Sequence, residues 1–315
     1  MLLRAAQTAN RSRESEAVDV ARAVFDSIVH VWRVGRVLSR ESHGPYTHPI
    51  DNSEPGPILT HDSMLSPETL LLSAAAFLLA GFVKGVIGMG MPTVSLAVMS
   101  IAMGLPTAIQ IVVVPTVVTN VWQALIGDGL RRLVRRFAVL LAATVIGVWL
   151  GYFLLFRSSA QLMTAVLGAA IIVYSLSGLL GFPLMPKVRR ERLASPLVGV
   201  ATGVLAGATG NISMPAIAYF HRLDLARNDI VQMLGILFTL GATTLGLTLA
   251  GHGSYEPDLL LVSALAVVPS IIGMLIGQRV RAKLAEKVFR RALFVALLAA
   301  GAHLVWKGLA FSSAV

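Results

Sequence analysis

The sequence predicts an all-α integral membrane protein of about eight helical segments, arranged as two inverted repeats that each open with a broken or re-entrant helical hairpin. Three observations carry this. The 315 residues are 56% hydrophobic and only 13% charged, with a mean hydropathy of +0.76. A soluble domain is closer to a quarter charged. After Leu70 the apolar runs reach the roughly 20 residues a helix needs to cross about 30 Å of hydrocarbon. Finally, a glycine and proline pattern in the first half recurs in the second at a nearly constant offset.

Residues 1–63 differ in composition from the rest, holding 7 of the 26 basic residues, 8 of the 16 acids and 4 of the 7 histidines. Val20, Val24, Ile28 and Trp32 recur at helical spacing there, with Arg22, Asp26, Arg33, Arg36 and Arg40 elsewhere around the turn. That pattern predicts an amphipathic surface helix. The Pro/His/Asp/Ser-rich stretch 43–63 reads as a linker. Met64 is an alternative start that would remove the whole extension, and no signal peptide precedes the first long apolar run.

Eight apolar segments follow, at about 70–104, 106–127, 137–156, 161–181, 196–220, 228–250, 258–277 and 292–310. The first is too long for one helix and is interrupted by Gly-Met-Gly-Met-Pro at 88–92. The fifth is interrupted by Gly-Asn-Ile-Ser-Met-Pro at 210–215. Lys and Arg cluster around Arg131–Arg136, Lys187–Arg192, Arg222 and Arg227, and Arg279–Arg291. The net charge of +10 therefore reads as loop orientation and not as a nucleic-acid footprint, and by the positive-inside rule these four connections are cytoplasmic. Segment 196–220 must then enter and leave on one side, and both termini of the membrane core fall on the periplasmic face.

The repeat pairs Gly81, Gly85, Gly88 and Pro92 with Gly203, Gly207, Gly210 and Pro215, and Gln110 with Gln232. Ile-Gly-Val-Trp-Leu-Gly at 146–151 likewise recurs as Ile-Gly-Met-Leu-Ile-Gly at 272–277. This divides the core into repeats 64–192 and 193–315. Under the loop assignment the first hairpin enters from outside and the second from inside, an inverted-topology repeat. Glycines at such spacing also serve helix packing alone, and that reading stays open.

Inverted repeats with broken helices place a substrate site where the two halves meet. Pro92 and Pro215 are suited to begin half-helices whose unpaired amides and partial positive charge favour an anion. Gly81, Gly85, Gly88 and Gly90 with Pro92, and Gly203, Gly207 and Gly210 with Pro215, form the expected hairpin backbone. Lys84 is the one charge deep within an apolar segment, and its repeat counterpart is Ala206. An intramembrane cation is a functional candidate by default. Thr93, Asn211 and Ser213 flank the breaks as hydrogen-bond donors or helix caps. Asn120 and Gln123, with Thr119, lie on a helix kinked at Pro115, as anion ligands or as interhelical bonds. His303 reads as a packing residue. The expected substrate site is therefore Lys84, Thr93, Asn120, Gln123, Asn211 and Ser213.

No cysteine is present, so thiolate metal sites and cysteine nucleophiles are excluded. Every acid after Glu68 lies in or beside a loop, which argues against a buried carboxylate relay and against hydrolase, protease or metal chemistry in the membrane. No metal or cofactor is expected.

The stretches 81–93 (Gly-Phe-Val-Lys-Gly-Val-Ile-Gly-Met-Gly-Met-Pro-Thr), 118–123 (Val-Thr-Asn-Val-Trp-Gln) and 208–215 (Ala-Thr-Gly-Asn-Ile-Ser-Met-Pro) resemble the sulfite exporter TauE/SafE family of bacterial membrane transporters. The resemblance covers about 64–310. It implies two related four-segment halves that move sulfur-containing inorganic or organic anions across the cytoplasmic membrane. The commoner Gly-x-Gly-Gly-Gly run is replaced by Met91-Pro92 in one half and Asn211-Ile212-Ser213 in the other, which leaves cargo and direction open. The alternatives are transport of another anion such as a carboxylate, or a membrane assembly protein whose glycines only pack helices. Coupling ion and oligomeric state are not readable.

Overall fold

The computed structural model describes residues 67–181, 188, 190–281 and 286–310. The expected amphipathic helix and linker of residues 1–63 lie outside them. The described residues are helical with no strand: α1 Pro67–Ile87, α2 Met91–Met103, α3 Leu105–Leu125, α4 Leu130–Arg136, α5 Ala138–Arg157, α6 Ala160–Leu180, α7 Glu191–Thr209, α8 Ala216–Phe220, α9 Arg227–Gly251, α10 Pro257–Leu265, α11 Val267–Arg281 and α12 Glu286–Ala310. Eight spans among them are long and apolar enough to cross a membrane, with α10 and α11 counting as one. They coincide with the eight apolar segments of the sequence. Exposed Leu71, Leu79, Ile146, Trp149, Leu197 and Trp306 face outward, which in a bilayer is the apolar side.

Both interrupted segments break where glycine and proline fall. α1 has 21 residues, about 31 Å, and ends at Gly88 and Gly90, whose φ angles of 90° and 98° lie in the left-handed region that only glycine enters cheaply. Pro92 then sits in the first turn of α2, a 13-residue piece of about 20 Å that packs on α1. The second break follows α7 at Gly210, φ 73°, and the Met214–Pro215 peptide is cis. Here the expected half-helix is reduced to the five residues of α8. Tyr219 on α8 reaches back to the start of α7, its hydroxyl 2.8 Å from Ser195 Oγ and 3.4 Å from the Glu191 carbonyl. The α7–α8 hairpin thus begins and ends at the same end of the molecule.

The long helices pair between the first and second halves of the membrane core. α1 packs on α11 and α7 on α5, each running parallel to its partner, while α3 packs antiparallel on α9 and α6 antiparallel on α12. The recurring glycines make the parallel pairs possible. A Cβ at Gly81 or Gly85 would strike the carbonyls of Ser270 or Met274, and one at Gly273 or Gly277 those of Leu78 or Phe82. Gly203 and Gly207 meet Thr144 and Val148 in the same way, with Gly147 and Gly151 against Val200 and Val204. These four motifs are close-approach surfaces for helix backbones. In the hairpin motifs, Gly81, Gly85, Gly203 and Gly207 pack helices, while Gly88, Gly90 and Gly210 turn the chain.

The two glutamines at repeat-related positions bind at opposite ends of the α3–α9 pair. Gln110 Oε1 on α3 accepts from the Glu256 amide 2.8 Å away, beyond the end of α9. Gln232 on α9 donates to the carbonyls of Ala124 and Gly127, both at 2.8 Å, and accepts from the Gly129 amide at 3.1 Å, beyond the end of α3. Each glutamine satisfies backbone groups that a helix end leaves unpaired.

Candidate functional site

Lys84 lies in the last turn of α1, 4% exposed, and is the only buried charged side chain among the described residues. Its ammonium donates to Asn120 Oδ1 at 2.6 Å and to Thr119 Oγ1 at 3.2 Å, both on α3. Those acceptors are themselves oriented. Asn120 Nδ2 donates to the Thr116 carbonyl at 2.8 Å, which turns its oxygen toward Lys84. Thr119 Oγ1 lies 2.8 Å from the Pro115 carbonyl and 3.3 Å from Met91 Sδ. The Pro115 carbonyl is a ready acceptor for Thr119 within its own helix.

An ammonium has three donors, and two are used here. No described carboxylate pairs with it; Asp229 and Glu191, for example, pair with Arg132 and Arg136 instead. A buried cation held only by neutral oxygens keeps most of its desolvation cost uncompensated. An anion arriving beside it would supply the missing charge.

The two breaks touch close by. Thr93, two residues beyond Met91, has its hydroxyl 2.9 Å from Ser213 Oγ and 3.4 Å from Asn211 Oδ1. Asn211 Oδ1 also accepts from the Ser213 amide at 3.0 Å, and Thr209 Oγ1 accepts from the Asn211 amide at 3.3 Å, so the second break is held by its own side chains. Thr93, Asn211 and Ser213 are all at most 4% exposed. Five of the six expected ligands therefore form two adjoining groups, Lys84 with Asn120 and Thr93 with Asn211 and Ser213.

Gln123 stands apart. Its amide donates to the Val231 carbonyl at 2.7 Å and belongs with Gln232 to the α3–α9 contact, the interhelical alternative the sequence left open. Three residues further along α3 than Asn120, it is offset by about 60° around the helix, enough to meet α9 where Asn120 meets Lys84. Thr119 joins Lys84 directly. Thr116, whose buried hydroxyl has no partner, lines a small apolar void of about 10 Å³ with Gly210 and Ile212. Its position one turn before Asn120 on the same face was the available signal.

A larger cavity of about 230 Å³ lies beside the second break, with Met214 in its wall and Tyr174, Ser177, His221, Arg222 and Arg290 around it. Arg222 and Arg290 were legible in the sequence only as orienting charge. Burial and the nearby Arg290 guanidinium hold the His221 imidazole below its ordinary range, so it is neutral at pH 7. Among the described residues no group of three or more His, Cys, Asp or Glu is placed to hold a metal ion.

Comparison with known proteins agrees with the fold. The family model described as "Sulfite exporter TauE/SafE" matches residues 73–304. The chain is also similar to a protein of Cupriavidus necator named "Probable sulfite/organosulfonate exporter TauE", 29% identical over 243 residues that cover 75% of this chain and 93% of the relative. No solved structure matches. With most of its length inside the family model and eight helices long enough to cross a bilayer, this is a multi-pass membrane transporter and not an enzyme. The chain belongs to the sulfite exporter TauE/SafE family.

Proposed function

We propose that this protein moves a small anion, a sulfur oxyanion or an organosulfonate, across the bacterial cytoplasmic membrane by alternating access between repeats 64–192 and 193–315. The observation that carries the reading is Lys84, a buried ammonium with a spare donor and no carboxylate partner, beside the point where the two helix breaks touch. Lys84 supplies charge, Thr119 and Asn120 aim it, and Thr93, Asn211 and Ser213 offer hydroxyl, amide and backbone groups to oxyanion oxygens. Gln123 is left out of this site and assigned to helix contact.

The packing supports an inverted relation between the halves. The repeat-equivalent helices α3 and α9 run antiparallel, as do α6 and α12, which is what a two-fold axis in the membrane plane produces. The basic loops are assigned to the cytoplasm by the positive-inside rule, which puts both ends of the membrane core in the periplasm. The cargo class follows the printed name of the C. necator relative, and efflux is the direction to assay first.

The test is thermal unfolding of the detergent-purified full chain with sulfite, thiosulfate, methanesulfonate and matched carboxylates. A ligand at 100 times its dissociation constant adds about 2.7 kcal/mol of stability. A shift with the sulfur anions that Lys84→Ala abolishes is the expected result. A shift with carboxylates alone would replace the cargo, and none with any anion would overturn the reading.

A further inference from the structure

The 230 Å³ cavity beside the second break is lined by basic and hydrogen-bonding side chains. Arg222, Arg290, His221, Tyr174 and Ser177 line the cavity, and no described lining residue is acidic. Arg290 comes from α12, Arg222 and His221 from the loop after α8, and Tyr174 and Ser177 from α6, so separate elements bring the donors together. Arg290 makes no ion pair with a described residue, and its charge is felt at His221.

The position is as telling as the chemistry. Met214 in the cavity wall directly follows Ser213, whose hydroxyl meets Thr93 across the two breaks. Beyond Thr93, Met91 touches Thr119, and Thr119 accepts from Lys84. The cavity and the buried ammonium are thus linked through Met214–Ser213, the Ser213–Thr93 contact, and Met91 with Thr119. At this volume the cavity suits a small hydrated anion and not a larger organic ligand. A guanidinium can donate two parallel hydrogen bonds to a pair of the oxygens of a tetrahedral sulfonate or a pyramidal sulfite.

We propose that this cavity is a second anion site, at which Arg222, Arg290 and His221 load a soluble sulfonate or sulfur oxyanion from the basic face before it passes Met214 to Lys84. The inference rests on the transport reading above. The phosphate of a lipid headgroup offers the same oxygens, but a lipid stays at the mouth, whereas the cavity reaches the second break.

The test uses the full chain in proteoliposomes sorted to one orientation, with sulfite and methanesulfonate presented to either face, in phosphatidylcholine alone and with phosphatidylglycerol added. Arg222→Gln with Arg290→Gln is expected to raise KM from the basic face roughly tenfold or more, since a charged hydrogen bond is worth about 1.5–3 kcal/mol. KM from the opposite face stays unchanged, as does the pattern in both lipid mixtures, and Arg→Lys at the same positions restores part of the loss. Each single Arg→Gln variant serves if the double variant does not fold. Wild-type transport with KM unmoved by these variants overturns the loading site and leaves the transport reading standing. An effect seen only with phosphatidylglycerol reassigns the cavity to a lipid and overturns it too. A wild type that moves neither anion overturns the transport reading and this inference with it.

Discussion

The two helix breaks are built from the same backbone pattern and carry different chemistry. Each follows a helix that packs by glycine on a helix of the other half of the core, and each turns at a glycine with positive φ. The first break has Lys84 one turn upstream and continues into the 13 residues of α2. The second has Ala206 at the matching place, is held by Asn211 and Ser213, and continues into only five helical residues. The shared part is what lets the helices approach and turn. In the proposed site the unshared part divides the work, with charge on one side and neutral oriented oxygens on the other.

The sharpest way to break that division is Lys84→Ala. Anion transport is expected to fall at least a hundredfold while the protein still unfolds cooperatively, because the residue removed is a buried charge and not a packing centre. Transport in proteoliposomes and thermal unfolding together check this, and unchanged transport would end the assignment. Moving the charge to the other break by combining Lys84→Ala with Ala206→Lys should not rescue transport, since Asn120 and Thr119 stay with the first break.

The shared backbone is tested by Gly207→Leu. The side chain would have to enter the space of the Val148 carbonyl, so the α5–α7 contact must open. Overpacking of this kind costs about 1–3 kcal/mol or more, read as a lower unfolding temperature or as loss of monodisperse protein. The equivalent Gly85→Leu should behave alike at the α1–α11 contact.

Smaller effects sharpen the boundary of the site. Gln232→Ala removes three hydrogen bonds to the end of α3 and should lower stability by about 1–3 kcal/mol, with little change in KM. Gln123→Ala should do the same more weakly. A change in KM before stability would return Gln123 to the binding site, or add Gln232 to it.

The smallest expected effect is on pH. His221 faces Arg290 on α12, Tyr174 and Ser177 on α6, and Arg222 on its own loop. Its lowered pKa means that it charges only as pH falls below the ordinary histidine range, and the unfolded chain takes up that proton first. Its contribution to stability is therefore present above that range and lost on acidification. Cationic His221 also strengthens the hold on an anion. With methanesulfonate, whose own charge is constant, KM from the basic face should fall modestly between pH 7 and 5, and His221→Gln should flatten that slope.

Much of this was legible before any coordinates. Run length and hydropathy locate all eight spans, because hydrocarbon thickness sets helix length independently of neighbours. Glycine followed by proline locates both breaks, because backbone sterics and a missing amide act within a few residues. Lys84 is conspicuous because a lone charge in an apolar run costs energy in any arrangement. Less legible was the fate of the polar residues. Asn120 and Gln123 are three positions apart on one helix, equally apt as ligand or as interhelical bond. α1 approaches the face that carries Asn120, and α9 the face that carries Gln123.

Membrane class, span count, break positions and the isolated cation all follow from local physics along the chain. The tertiary structure alone decides that Gly81 and Gly85 pack against α11, that Gly203 and Gly207 pack against α5, and that Thr93 meets Ser213 from 120 positions away. It also decides that Arg222 and Arg290 share one cavity beside the second break. Such meetings depend on which helix lies beside which. That choice is made by the shapes of whole surfaces, and no single stretch of sequence contains both of them.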